Sequence, residues 1–243
     1  MPGSYGLFGS GEFLPWAGPV DRWLVESSRR DAGRVLVVPT AAAPEGDDVF
    51  QRWGAMGIDH YRDLGYAPEV VGIKGREDAF RPEVVAQVEG ASLVFFSGGN
   101  PAQLVRSLAG TPFWDGVVAE LEGGCALAGS SAGIGFLGVT TIDSVAAANG
   151  LPDIVVPGIG WFPSVFGPHW DAMEGWHPGS QAMMLAAVPG DIAFVGVDED
   201  TAVVGDGARW EIQGRGTATV RPAGAEIFVA GPGESFDLPL RTA

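Results

Sequence analysis

Along the first half of the chain, short unbroken apolar runs alternate with stretches whose apolar residues recur every three or four positions. Residues 5–8, 34–38, 69–73, 92–96 and 125–128 read as strands. Between them, residues 20–30, 47–64, 79–88, 101–108 and 113–121 have helical spacing. Apolar runs without alternation fit strands buried on both faces, and strands separated by helices call for right-handed parallel crossovers. The pattern predicts an α/β fold built on an open, doubly wound, mostly parallel sheet with helices on both faces.

After Val139 the pattern changes. Residues 140–166 mix Gly, Pro and short apolar runs and yield no clear element. Residues 181–188 then read as a helix and 192–197 as a strand. From 201 to 240, β-like pieces such as 208–212, 217–221 and 226–230 alternate with Gly turns, which predicts an antiparallel extension at the sheet's edge. No repeat or linker interrupts the chain, so residues 1–243 read as one domain.

Charge removes several functions from consideration. The net charge is −16 with only 14 Lys and Arg, and none falls between Arg106 and Arg209. Without a basic stripe to displace counterions, nucleic acid is not an expected partner, and neither is an anionic membrane surface. The single cysteine, Cys125, rules out an intrachain disulfide and a Cys-based zinc site. No charged leader followed by a long apolar segment opens the sequence, so the expectation is a cytoplasmic protein. A homodimer through exposed Trp or Phe is left open.

The candidate chemistry begins at Gly129-Ser130-Ser131-Ala132-Gly133, a G-x-S-x-G run between a buried strand and an expected helix at 132–137. Such a turn strains the backbone at the serine, needs small neighbours, and points the hydroxyl above the sheet edge. The amide of Ala132, at the helix start, would then face developing negative charge. Taken without its setting, the same run is a Gly/Ser-rich turn. Its position beyond a strand's carboxyl end, where ligands of open α/β sheets gather, favours catalysis.

A serine nucleophile needs a base, and only His60, His169 and His177 are available. His60, beside Asp59 and Arg62 in a helix, reads as a solvated surface residue. His169 sits in a loop-like run flanked by aromatics and His177 at a helix entry, and His169 is the preferred base. The orienting acid is sought in Asp198-Glu199-Asp200, directly after the strand at 192–197, but spacing does not choose among the three. Asp143, Asp153 and Asp171 compete. The turn Ser97-Gly98-Gly99-Asn100 closes the strand before the serine strand and can offer a backbone amide to an oxyanion.

Together, Phe96-Ser97-Gly98-Gly99-Asn100-Pro101, Gly129-Ser130-Ser131-Ala132-Gly133-Ile134, Pro168-His169-Trp170 and Gly196-Val197-Asp198-Glu199-Asp200-Thr201-Ala202 resemble the dipeptidase E / cyanophycinase family of serine peptidases. The likeness extends from Gly9-Ser10-Gly11-Glu12-Phe13 to the Gly-punctuated β tail. It implies a class I glutamine amidotransferase-like, flavodoxin-type fold. It further implies Ser131 as nucleophile, His169 as general base and then acid, Glu199 as orienting acid, and the amides of Gly99 and Ala132 as oxyanion hole. The substrate would be a small peptide or related amide, with no metal or organic cofactor.

Family members that cleave after aspartyl residues carry arginines shortly after the histidine. Residues 171–179 hold none, only Asp171 and Glu174, so aspartyl specificity is not expected. Trp161, Phe162, Trp170 and Trp176 are candidates for a pocket wall or for core. Asn100, Trp170, Asp171 and Asp198 are candidate substrate contacts, the acids by holding a free substrate amine near Asp171, Glu174 or Asp198. Three rival readings remain. One is a non-catalytic small-metabolite binder, one a hydrolase of esters or other amides with the same triad. The third is metal-dependent hydrolysis through His169 with Asp198 or Asp200, although no spacing here matches a metal pattern.

Overall fold

A computed structural model describes residues 3–30 and 33–240. The predicted parallel sheet is present. Its parallel strands are β1 (Tyr5–Phe8), β2 (Arg34–Val38), β3 (Ala67–Val70), β4 (Leu93–Phe96) and β5 (Ala126–Ser130), in spatial order β1-β5-β4-β2-β3. Alternate residues of these runs enter opposite cores. Val35, Val37, Leu93, Phe95, Ala126 and Ala128 pack with α1 (Gly18–Ser27) and with Tyr61 of α2 (Asp47–Asp63). Leu36, Val38, Val94, Phe96 and Leu127 face the other core, with α3 (Pro82–Val85), α4 (Pro101–Leu108) and α5 (Pro112–Glu122). Two-sided burial is why the runs lack polar alternation.

Two elements differ from the pattern. The strand expected at 69–73 lies at 67–70, on the sheet's outer edge, where Pro68 leaves no ladder bond unmade. Beyond the strand's end Val71 N–H still donates to Val37 O at 2.9 Å, and Val71 and Ile73 are buried. The helix expected at 79–88 is split, because Pro82 lacks an N–H and holds Arg81 extended (φ −70°, ψ 124°).

The chain beyond β5 builds a second layer of sheet. After the short α6 (Ala132–Gly135), a β6–β7 pair (Thr140–Ile142, Val155–Pro157) brackets α7 (Ser144–Ala148). Then β8 (Ser164–Gly167) leads through α8 (Trp170–Trp176) and α9 (Ser180–Ala187) to a parallel partner, β9 (Ala193–Val197). The C-terminal strands divide between two sheets. Strands β10 (Thr201–Gly205), β11 (Arg209–Gly214) and β14 (Ser235–Asp237) extend the central sheet beside β1, antiparallel as expected. Strands β12 (Ala218–Arg221) and β13 (Phe228–Ala230) instead join β9 and β8 in a four-stranded sheet. One buried cluster runs from Leu7 and Phe96 of the central sheet to Val195 and Val220 of the second. Among the described residues, no helix is long and apolar enough to cross a membrane.

Candidate active site

The serine turn sits where β5 meets α6. Ser131 has φ 54° and ψ −112°, a conformation costing about 1–3 kcal/mol in a non-glycine residue. Its N–H donates to Phe8 O at 3.1 Å, and its carbonyl accepts from the amides of Ile134 and Gly135, both at 3.1 Å. The flanking glycines are sterically required. A Cβ on Gly129 would stand 1.9 Å from Gly133 O, and one on Gly133 would stand 2.0 Å from Phe96 O. The small residues thus let strand, turn and helix close on one another.

The histidine and the acid come from the second sheet. Strands β8 and β9 run parallel with Gly167 opposite Gly196, so the chain leaves both at the same end. His169 lies two residues past Gly167 and Glu199 two past Val197, which brings them side by side. His169 Nδ1 is 2.7 Å from Glu199 Oε1, and His169 Nε2 is 2.9 Å from Ser131 Oγ. His169 precedes α8 in a left-handed conformation (φ 54°, ψ 36°), and its carbonyl accepts from the amides of Ala172 and Met173 at 3.0 Å.

The three acids after β9 have three different partners. This short segment carries the chain from the second sheet into β10 of the central sheet, and Gly9 N–H at the end of β1 donates to Thr201 O at 2.9 Å. Asp198 Oδ2 accepts from Thr217 N (2.7 Å) and Oγ1 (2.8 Å), tying the crossing to the return crossing between β11 and β12. Asp200 pairs with Arg215 at 3.3 Å. Only Glu199 turns to the histidine, and its own amide donates to Asp171 Oδ1 at 2.8 Å.

The other candidates fall elsewhere. His60 is no solvated residue: its side chain is 9% exposed and its Nε2 is 2.7 Å from the buried Asp21, because α2 turns that face onto α1. His177 lies exposed at the C-terminal end of α8. Asp143 caps α7 and bonds Asn100 and Arg106, and Asp153 is exposed. Asn100 is buried, caps α4 by accepting from Ala102 N, and donates to Asp143, so its side chain serves the fold. Trp170 is buried against Phe194 with ring centroids 4.9 Å apart, and Trp161 and Phe162 are also buried. Trp176 alone of the four aromatics stands open at the site, 56% exposed with its ring 5.2 Å from that of His169.

The expected carboxylate anchors for a substrate amine are engaged as well. Asp198 and Asp171 hold the partners given above, and Glu174 accepts from the amides of Gly179 and Gln181. Those two bonds hold the Glu174 carboxyl below its ordinary range. Among the described residues no group of three or more His, Cys, Asp or Glu is placed to hold a metal ion.

One residue at the site escaped the reading of the sequence. Glu12, in the turn after β1, is buried, accepts from Gly98 N at 3.0 Å through Oε1, and accepts from Ser130 Oγ through Oε2. Burial pushes its carboxyl above the ordinary value, opposed by those two hydrogen bonds and by nearby His169. The available signal was an acid inside a Gly turn at a strand's carboxyl end, beside the strand that leads to the serine.

The model of peptidase family S51 matches residues 7–213. The chain belongs to peptidase family S51. A cyanophycinase of Nostoc sp. is 30% identical over 159 residues, covering 63% of this chain and 52% of that protein. A cyanophycinase of Synechococcus elongatus is 29% identical over 197 residues, covering 76% and 58%. The chain thus spans little more than half the length of the curated relatives it matches. A crystal structure of a peptidase from an acI-B1 actinobacterium superposes with TM-score 0.86 at 31% identity, covering 98% of both chains. A candidate peptidase E protein from Listeria monocytogenes EGD-e, at 16% identity and TM-score 0.59, shares the fold.

Proposed function

We propose that the chain is a serine peptidase that hydrolyses a small peptide or related amide through an acyl-enzyme on Ser131. The observation that carries this reading is the unbroken contact line from Ser131 Oγ through His169 to Glu199, at 2.9 and 2.7 Å. His169 Nε2 takes the hydroxyl proton as Oγ attacks the substrate carbonyl, and Glu199 holds the ring at Nδ1 and stabilises the imidazolium. The amides of Gly99 and Ala132 receive the oxyanion. His169 then protonates the leaving amine, and water, activated by the same imidazole, releases the acid product.

The relatives named cyanophycinase do not transfer their substrate to this chain. Residues 107–208, which include the histidine segment, hold no Lys or Arg, and the nearby Arg215 is paired with Asp200, so that segment offers a buried substrate carboxylate no cationic partner. The open face of Trp176 beside His169 supports a neutral, apolar or aromatic substrate side chain. The test is labelling by a fluorophosphonate probe followed by a dipeptide library screen. The expected result is modification at Ser131, absent in Ser131→Ala, with hydrolysis of dipeptides bearing neutral side chains. An intact, folded protein that the probe leaves unmodified would be a binder rather than a hydrolase.

A further inference from the structure

The mechanism above makes no use of the carboxyl of Glu12, although it is buried at the centre of the site. Strands β1, β5 and β4 are consecutive neighbours in the central sheet, and Glu12 follows the first, Ser130 ends the second and Gly98 follows the third. The turn after β1 therefore brings one carboxyl over the ends of two adjacent strands, where it bonds both Ser130 Oγ and Gly98 N–H. The residue after each of these partners matters: Ser131 and Ala132 on one side, Gly99 on the other. Among the described residues, neither the Gly99 nor the Ala132 amide donates to a protein acceptor, so both remain available to a ligand. Gly99 (φ 137°) is pressed against the Ala41–Ala42 backbone, where a Cβ would stand 2.5 Å from Ala41 C.

We propose that Glu12 is a positioning residue that sets the separation of the two oxyanion-binding amides by tying the Gly98–Gly99 turn to the Ser130–Ser131 turn. The proposal rests on the peptidase reading above and adds to it a residue that touches no substrate. Burial pushes the Glu12 carboxyl above its ordinary value, which favours its uncharged form. Glutamine has the same reach, with an oxygen for Gly98 N–H and an amide for Ser130 Oγ. Alanine has neither.

The test measures covalent labelling of Ser131 by a fluorophosphonate over a range of probe concentrations, separating the maximal rate from the reversible binding constant. In Glu12→Ala the maximal rate should fall about 10²-fold, the scale of losing one oxyanion donor, with the binding constant within a few-fold of the original. Glu12→Gln should recover to within a few-fold of the original rate. Circular dichroism and thermal melting accompany each variant. Should Glu12→Ala not fold, Ser130→Ala cuts the same tie at its other end and should slow labelling about 10-fold. An unchanged maximal rate in the folded variants, a loss confined to the binding constant, or a Glu12→Gln as slow as Glu12→Ala would overturn the proposal. An original protein unreactive at Ser131 would overturn the peptidase reading itself, a separate and recognisable outcome.

Discussion

Two histidine–carboxylate pairs occur in this molecule at the same 2.7 Å, His169 with Glu199 and His60 with Asp21, yet they are built for different ends. The His60 pair is enclosed: its side chains are 9% and 1% exposed, Asp21 also accepts from Tyr61 Oη at 2.9 Å, and the rings of Phe13 and Tyr61 pack against the imidazole. The His169 pair is open, at 24% and 42% exposure. His60 sits in the last turn of a regular helix, whereas His169 takes a left-handed backbone beside a strained serine. The contrast teaches that an imidazole held by a carboxylate is a general structural device. What sets the His169 pair apart is its other nitrogen, Nε2, which lies 2.9 Å from Ser131 Oγ. Losing one member of the buried pair leaves the other buried without its partner, while the half-exposed pair adds little to stability because solvent screens it.

The sharpest way to break this comparison is to remove each histidine. Ser131→Ala and His169→Ala should each lower turnover by about 10⁴-fold or more, while His60→Ala should leave kcat/KM within about 3-fold. A His60 variant as inactive as the His169 variant would erase the distinction. Next, Glu199→Gln should reduce kcat by about 10²-fold with the melting temperature little changed, since the acid orients a tautomer from a half-exposed position. Asp21→Ala should do the reverse. It leaves His60 and Tyr61 Oη buried without their partner and should cost about 3 kcal/mol in urea unfolding, with kcat preserved.

The smallest effect is in the pH dependence of stability. Burial raises the folded-state carboxyls of Asp21 and Glu12 above their ordinary values of 3.8 and 4.5. The folded chain therefore holds protons that the unfolded chain has released. The stabilising contribution is complete below the ordinary carboxyl range and is lost as pH rises through the raised values. Asp21→Asn and Glu12→Gln should each flatten that decline, read from urea midpoints measured from about pH 4 upward. A steeper decline in either variant would reverse the sign.

Some of the site was written in local pattern. Ser131 was legible because G-x-S-x-G after an apolar run has a steric cause, now visible as the closeness of Gly129 and Gly133 to neighbouring carbonyls. His169 was legible because only three histidines exist. Glu199 came by likeness, since Asp198, Glu199 and Asp200 are equivalent on spacing alone. His60 was misread because a polar helical run with Asp59 and Arg62 does not reveal which face meets α1. Glu12 went unseen because its partners, Gly98 and Ser130, lie 86 and 118 residues away.

By itself, the sequence determined the parallel central sheet, its two apolar faces and the strained serine turn, all of which are legible in unbroken apolar runs and in a G-x-S-x-G run at a strand's end. Only the tertiary structure decided that β9 leaves the central sheet to pair with β8 and that the chain crosses back to pair β10 with β1. That crossing sends three consecutive acids toward three different partners. The hydrogen bonds that set strand partners and register join residues distant in the chain, and Glu199 and Asp200 lie in a turn where Asp200 takes φ 50°. Which of the three acids meets the histidine therefore depends on packing that no local pattern records.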